Sequence, residues 1–396
     1  MDDKKKIKLI VISHATVIPS FRSRWEKLAK SGLCEVHLVL PARWEQTWFG
    51  EKVVYQTESF SDKNFYIHPL KTTHESNWGR YLYRGLRSKI NQINPDVVFM
   101  IHEESCLIHH QLSFIKRTSG HKYSIVFFTM NALGVPYKRS KKIIGKLFKY
   151  LRWLDIKNYV DAAICHYPGC EQSLLEAGFN KPILVQTQVG VNCEEFNCEI
   201  LRPIEDDLGK TLANKFVFGY CGRLDTKKGV DILVKAYASV KKKYPQIALL
   251  LVGNGRLTED IKQYIQSGKL TDVYITGFIA QNKVPQYMKR MDTFILGSRT
   301  TENWIDTFPL VTVQAQIMKL PVITTPTGAI PWQLANTAVY YDEGNTKQLV
   351  ERMTEALDNK EDLKKLAEDG YQRSMELYEQ TNLNSVFYNF ISKLAK

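Results

Sequence analysis

No stretch of this chain is apolar for long. The longest runs, such as Ile247–Val252, fall far short of the roughly 18–20 residues that a membrane-spanning helix needs. A helical membrane-spanning protein is therefore excluded. The first residues, Met1-Asp2-Asp3-Lys4-Lys5-Lys6, lack the apolar stretch of a signal peptide, so a cytoplasmic location is expected. CxxC pairs are missing too. The cysteines at 34, 106, 165, 170, 193, 198 and 221 form an odd, unpatterned set, which reads as reduced packing residues. His166 lies beside Cys165 and four residues before Cys170, but no second ligand pair completes a zinc site, so no metal is expected. Histidine is absent after His166, so any imidazole used in chemistry must come from the first half. The turn Gly253-Asn254-Gly255 has no Gly-Lys-Ser/Thr after it and is not a Walker loop.

What is present is a soluble globular balance: 396 residues, 44% hydrophobic and 24% charged, with room for two or three domains. Basic residues exceed acidic ones, 54 against 41, for a net charge of +13. The excess leans to the N-terminal half and points to an anionic partner: nucleic acid, membrane or substrate. No recognisable nucleic-acid module accompanies it, so nucleic acid is disfavoured.

Buried-type apolar runs alternate with helical patterns, which predicts parallel sheets covered on both faces. Strands are expected at Ile7–Ile12, Val36–Leu40, Val97–Ile101, Ser124–Phe128, Ala162–Cys165 and Ile183–Val185. Helices are expected between them, among them Asn77–Asn91 and Arg139–Asn158. The polar segment Glu199–Lys215, with Pro203, Gly209 and an acidic triplet, reads as a linker. The rhythm then restarts with strands at Phe216–Cys221, Ile247–Val252, Val273–Ile275, Thr293–Leu296 and Pro321–Thr324. The fold class is α/β, two Rossmann-like doubly wound domains in series. Ligands of such sheets bind beyond the carboxyl ends of the strands.

Four constellations sit at those ends in the second half. Gly222-Arg223-Leu224-Asp225-Thr226-Lys227-Lys228-Gly229 follows a strand and opens a helix. Its cations beside a helix N-terminus suit a diphosphate, though a basic solvated turn reads equally well. Gly253, Asn254 and Gly255 allow a close backbone approach or form a plain turn. The polar and aromatic loop Ser298–Pro309 carries Glu302 and Asp306, and Thr307 is placed to cap the next helix. Gln314 lies eight residues after Asp306, so the two can share a helix face; a capping acid and an exposed amide is the plainer alternative.

In this order and spacing, followed by Leu320-Pro321-Val322-Ile323 and Gly328-Ala329-Ile330-Pro331, the second half resembles the nucleotide-sugar-binding domain of the family-four retaining glycosyltransferases of the GT-B fold. Gln188-Val189-Gly190-Val191-Asn192 with Phe196 is similar to a segment that these enzymes place near the interdomain linker. Ser23-Arg24-Trp25, His102-Glu103-Glu104 and Thr129-Met130-Asn131 look like N-terminal features of a bacterial polysaccharide and glycolipid subgroup. The resemblance implies two domains facing across a cleft. Residues 1–198 would bind the acceptor, 199–215 would link, 216–375 would bind the donor, and a helix in 376–396 would cross back. It implies a retaining hexosyltransferase that needs no metal or other cofactor and takes a nucleotide diphosphate sugar as donor.

Within it, Arg223 and Lys228 would hold the diphosphate. Asp306 would contact the donor sugar where the family has glutamate. Gln314 would meet ribose hydroxyls, again in place of a glutamate. Gly222, the turn Gly253–Gly255, Glu302 and the backbone N–H groups of Thr307, Phe308 and Leu310 would line the donor. His14, after the first strand, with His102, Glu103, Glu104 and Asn131 are acceptor candidates; a structural histidine and a buried ion pair are the plain alternatives. The departures at 306 and 314 leave open a non-catalytic relative that supports a partner transferase. A GT-B epimerase or phosphorylase is the other enzyme class.

The segment Lys138–Lys157 gathers eight cations against Asp155. Ile144, Leu147, Leu151 and Leu154 are expected to face the core, leaving the cations with Phe148 and Trp153 near the exposed side. Such a helix reads as binding an anionic membrane surface, peripherally on the inner face, or as a plain solvated helix. The acceptor is expected to be a glycan, a polysaccharide or a lipid-linked sugar.

Overall fold

The computed structural model describes residues 6–48, 51–132, 134, 143–197, 199–302 and 304–395. The chain divides into two compact units, 1–190 with 380–396, and 191–379.

The first unit is built on an eight-stranded sheet. In chain order its strands are β1 (Ile7–Ile12), β2 (Cys34–Pro41), β3 (Arg43–Trp48), β4 (Glu51–Gln56), β5 (Phe60–Asp62), β6 (Phe65–Leu70), β7 (Thr72–Thr73), β8 (Leu82–Tyr83), β9 (Val97–Ile101), β10 (Ser124–Thr129), β11 (Ala162–Cys165) and β12 (Ile183–Val185). The main sheet runs β12-β11-β10-β9-β1-β2-β6-β5, while β3–β4 and β7–β8 form separate two-stranded pairs. Its pairs are parallel except β5 with β6. Parallel strands must be covered on both faces, so their apolar runs are continuous rather than alternating. The covering helices are α1 (Ser23–Lys30), α2 (Leu86–Ile93), α3 (Ile108–Thr118), α4 (Ile143–Tyr159) and α5 (Pro168–Glu176).

The second unit holds a parallel six-stranded sheet of β13 (Phe216–Cys221), β14 (Ile247–Val252), β15 (Val273–Ile275), β16 (Thr293–Leu296), β17 (Val322–Thr324) and β18 (Val339–Tyr340), ordered β15-β14-β13-β16-β17-β18. Every residue of β14 is buried. Its helices are α6 (Asp207–Leu212), α7 (Val230–Lys241), α8 (Thr258–Ser267), α9 (Val284–Met288), α10 (Leu310–Ile317), α11 (Ile330–Leu334), α12 (Thr346–Asp358) and α13 (Lys360–Tyr378).

The last helix, α14 (Gln380–Ser392), belongs to the first unit and packs on α1. Trp25 meets Phe387 edge-on at 5.6 Å. The buried Arg24 donates to Asn384 Oδ1 at 2.9 Å and to the carbonyls of Thr187 and Gln188. Burial without an acidic partner lowers its pKa to about 9. Gln380 donates to Ser23 Oγ at 2.9 Å. Ser23-Arg24-Trp25 is thus a clamp that holds the terminal helix.

Three expectations about elements need correction. Asn77–Asn91 is not one helix: β8 interrupts it, and α2 starts only at Leu86, after Gly85 in a left-handed conformation. The polar segment 199–215 contains α6, capped by Asp206, whose side chain accepts from Gly209 N at 2.9 Å. On α4 the exposed and buried sides differ from those expected. Trp153 is 2% exposed and donates from Nε1 to Ala177 O at 3.1 Å. Ile144 and Leu147 are 73% and 56% exposed and Leu151 is exposed as well, whereas Phe148 is exposed as expected. The helix is seated through Trp153 and Ile156, the reverse of what the 144–147–151 spacing suggests. Of the cations assigned to this segment, Lys138, Arg139, Lys141 and Lys142 lie outside the described residues.

Candidate active site

At the carboxyl end of β13 the chain makes an open turn at Gly222 and a short 3-10 turn over Thr226–Lys228, and then starts α7 from Gly229 without a side-chain cap. Asp225 caps the short turn by accepting from Lys227 N at 3.0 Å. Burial raises its carboxyl, but the hydrogen bonds from Lys227 N and the Thr226 hydroxyl, with the charges of Arg223 and Lys227, bring it below its usual pKa. Arg223 is exposed, and its guanidinium has no hydrogen bond or ion pair among the described residues. Lys228 reaches Asp306: Nζ lies 2.5 Å from Oδ2. Ser298, from the end of β16, donates to the same oxygen at 2.6 Å. Asp306 is buried, and its backbone is fixed as well, because its carbonyl accepts from Ala329 N at 2.9 Å. Gly328 must be glycine: its φ is +58°, and a Cβ would sit 2.1 Å from the Asp306 oxygen.

The expected donor residues thus divide. Arg223 and Lys228 follow β13 and Asp306 follows β16 of the same sheet, and the structure joins Lys228 to Asp306 directly. Asp306 does not share a helix face with Gln314, because α10 starts only at Leu310, with Gln314 half-buried on it. Thr307 is not the cap either: the N-cap is Pro309, and no side chain caps this helix. An uncapped helix start favours anions. Phe308 packs edge-on against Tyr378 at 5.4 Å, and Glu302 is exposed on the loop.

Gly253 and Gly255 answer to their own chain. A Cβ on Gly253 would lie 2.0 Å from the Gly222 oxygen, and one on Gly255 would lie 2.3 Å from the Leu224 oxygen. The two strand-end loops therefore interleave, which Leu224 N to Asn254 O at 3.0 Å confirms. The Asn254 side chain accepts from Thr258 Oγ1 at 2.6 Å and so orders the start of α8. The loop Ser298–Pro309 also brings in Ser298 and Trp304, for which its spacing predicts no role. The Trp304 ring lies 4.9 Å from Lys228 Nζ and 5.6 Å from Lys227 Nζ, so an aromatic face holds two cations beside the carboxylate.

In the first unit, β1 and β9 end side by side. His14 and His102 follow them with ring centroids 5.3 Å apart. With Glu103, Trp78, Phe128 and Met130 they line a mostly apolar cavity of about 310 Å³. The Trp44 ring is tilted against His14 with centroids 5.1 Å apart, and Tyr81 bonds to His102 Nε2. Burial holds His14 neutral, with its pKa lowered to about 4, and pushes His102 down as well. Nδ1 of each ring is buried and unpartnered.

Glu104 departs from the acceptor expectation. It is buried away from that cavity lining, and neither carboxylate oxygen has a hydrogen bond of ordinary length. Burial pushes its carboxyl up to about 7, although Thr129 and Asn131 are near enough to oppose the shift. Asn131 is a loop residue that donates to Gly134 O at 2.9 Å. Neither Trp44 nor Tyr81 could have been found from spacing, because they come from distant parts of the chain.

Among the described residues no group of acids, cysteines and histidines is arranged to hold a metal ion. No helix among them is long and apolar enough to cross a membrane.

Comparison with known proteins finds glycosyltransferases. The family of group 1 glycosyl transferases matches residues 204–373. An uncharacterised glycosyltransferase of Methanocaldococcus jannaschii is 26% identical over 245 residues, which is 60% of this chain and 57% of that protein. The GPI3 subunit of phosphatidylinositol N-acetylglucosaminyltransferase from Saccharomyces cerevisiae is 25% identical over 201 residues, 50% of this chain and 43% of its own length. The chain thus spans about half the length of the curated relatives it matches. In fold it is similar to Anabaena HepE, solved in complex with UDP and glucose, with a TM-score of 0.68, 17% identity, and coverage of 98% of this chain and 100% of that one.

Proposed function

We propose that this chain, whose residues 204–373 form a group 1 glycosyl transferase domain within a GT-B fold, is a retaining, metal-independent hexosyltransferase. It moves a sugar from a nucleotide diphosphate donor to a glycan or lipid-linked acceptor. One observation carries this reading: Arg223 and Lys228 stand at the strand ends with Asp306 fixed between Lys228 and Ser298. Two cations beside an uncapped helix start supply charge for a departing diphosphate, the role a divalent ion plays elsewhere.

In the reaction, the bond from the anomeric carbon to the phosphate oxygen breaks. The acceptor oxygen bonds to the same face of that carbon, and the acceptor proton passes to the leaving phosphate. The products are a glycoside of unchanged anomeric configuration and a nucleoside diphosphate. UDP is the first donor nucleotide to try, since the Anabaena neighbour was solved with it.

A thermal-shift screen of nucleotide diphosphate sugars, followed by transfer assays with and without EDTA, tests the reading. A bound donor raises the melting temperature by mass action. Arg223→Ala is expected to lose most of the turnover, and EDTA to leave it unchanged. No binding and no turnover across a broad panel would overturn the transferase reading. Binding without turnover would move the chain to the non-catalytic class.

The first unit adds a membrane surface to the reading. The exposed side of α4, with Ile143, Ile144, Leu147, Phe148 and Leu151, is apolar, and Lys146 and Lys149 flank it. An exposed apolar helix face edged by cations fits an anionic bilayer at the inner face of the membrane, and a lipid-linked acceptor would be met there. Leu147→Glu combined with Phe148→Glu should abolish flotation with phosphatidylglycerol vesicles. Unchanged flotation would remove the membrane from the proposal.

A further inference from the structure

We infer that the first unit also carries a groove for an anionic oligosaccharide, separate from the cavity at His14. The inference rests on the transferase reading, because it names the chemistry of the acceptor. The groove has a volume of about 1060 Å³, against about 310 Å³ for the cavity. Sites for drug-sized ligands span roughly 300–1,000 Å³, so the larger volume suits several linked sugar rings.

The lining has the chemistry that sugars need. Tyr55 and the half-exposed Phe60 offer apolar faces to the C–H side of a ring. Gln56 and Ser59 offer hydrogen bonds. Thr57 and Thr72 also line the groove, with buried hydroxyls that have no hydrogen-bond partner.

The charge decides the class of sugar. Arg22, Arg43, Lys71 and Arg84 line the groove, against Glu58 and Glu75. Arg43 takes up Glu75 at 2.8 Å. Arg22 spends Nε and one terminal nitrogen on the carbonyls of Thr16 and Val17. Lys71 and Arg84 are exposed, and their side chains have no hydrogen bond or ion pair among the described residues. Two unengaged cations against Glu58 favour an anionic ligand.

Arg43 of the groove is followed along β3 by Trp44, whose ring is tilted against that of His14.

Calorimetric titration of the full chain tests this with a hyaluronan tetrasaccharide, neutral chitotetraose and inorganic phosphate. The acidic tetrasaccharide should bind at least roughly tenfold more tightly than the neutral one, and phosphate at equal concentration should not displace it. Charge reversal by Lys71→Glu with Arg84→Glu should weaken binding by roughly tenfold or more, and Tyr55→Ala with Phe60→Ala should weaken it too, both with an unchanged circular dichroism spectrum. Equal binding of the neutral sugar, displacement by phosphate alone, no binding, or indifference to charge reversal would each overturn the groove. Donor binding is measured on the same preparation. Donor bound without the tetrasaccharide sinks this inference alone, whereas tetrasaccharide bound without donor supports the groove and sinks the transferase.

Discussion

At the scale of single residues, the contact between Lys228 and Asp306 couples stability to function. A buried carboxylate is tolerated because a cation and a hydroxyl meet it. Removing the cation alone leaves the charge stranded, and removing both charges relieves this. Lys228→Met should therefore cost about 1–3 kcal/mol, less than a fully buried pair because the lysine is partly exposed. Adding Asp306→Asn should recover much of that loss in denaturant titrations while transfer stays abolished. If stability recovers nothing, the two side chains are not coupled as described. Glu104 gives a second, pH-dependent case. Its carboxyl titrates near 7 when folded, above its ordinary value of 4.5. The folded state thus binds the proton more tightly, so stability falls as pH rises through that window. Glu104→Gln should raise the melting temperature at pH 8, with the gain shrinking as pH falls toward 4.5. An equal gain at both pH values would mean that the carboxylate is not the cause.

At the scale of elements, α4 shows what sequence spacing reveals and what it conceals. Periodicity identifies a helix there, but it cannot say which side the rest of the unit covers. Trp153 is covered because Phe179 and the Ala177 carbonyl lie against it, contacts from a distant part of the chain. Trp153→Ala should therefore cost about 3–5 kcal/mol, whereas Leu147→Ala should change stability by less than about 0.5 kcal/mol. Chemical denaturation of both variants checks this, and comparable losses would place Leu147 in the core.

The central strands were legible for the opposite reason. β9, β11, β13 and β14 are continuous apolar runs bounded by polar residues, so burial on both faces marks their ends. The pair β3–β4 and the short strands β5, β7 and β8 were not legible, because they are short or mix polar with apolar residues and none lies inside the main sheet. In the candidate site the cations and Asp306 were readable from order and spacing. Trp304 over Lys228, and Trp44 with Tyr81 around His14, exist only through tertiary packing.

At the scale of the whole molecule, the two units differ in how they meet acid. All nine histidines lie at or before residue 166, so the second unit has none. Burial lowers the pKa of His14, His68 and His109 to about 4 and that of His166 to about 3, and pushes His37 and His102 down as well. Each is held neutral in the folded unit and would take up a proton near 6.5 once unfolded. The unfolded chain thus binds more protons below pH 6.5, and stability present above that pH is lost progressively toward pH 4. Glu104 acts in the opposite sense between 7 and 4.5, but it is one group against six. The first unit should therefore open first on acidification. Hydrogen exchange at pH 7 and pH 5, corrected for intrinsic rates, should show β9–β11 losing more protection than β13, β14 and β16. Equal losses, or losses led by the second unit, would show that the buried imidazoles do not govern acid stability.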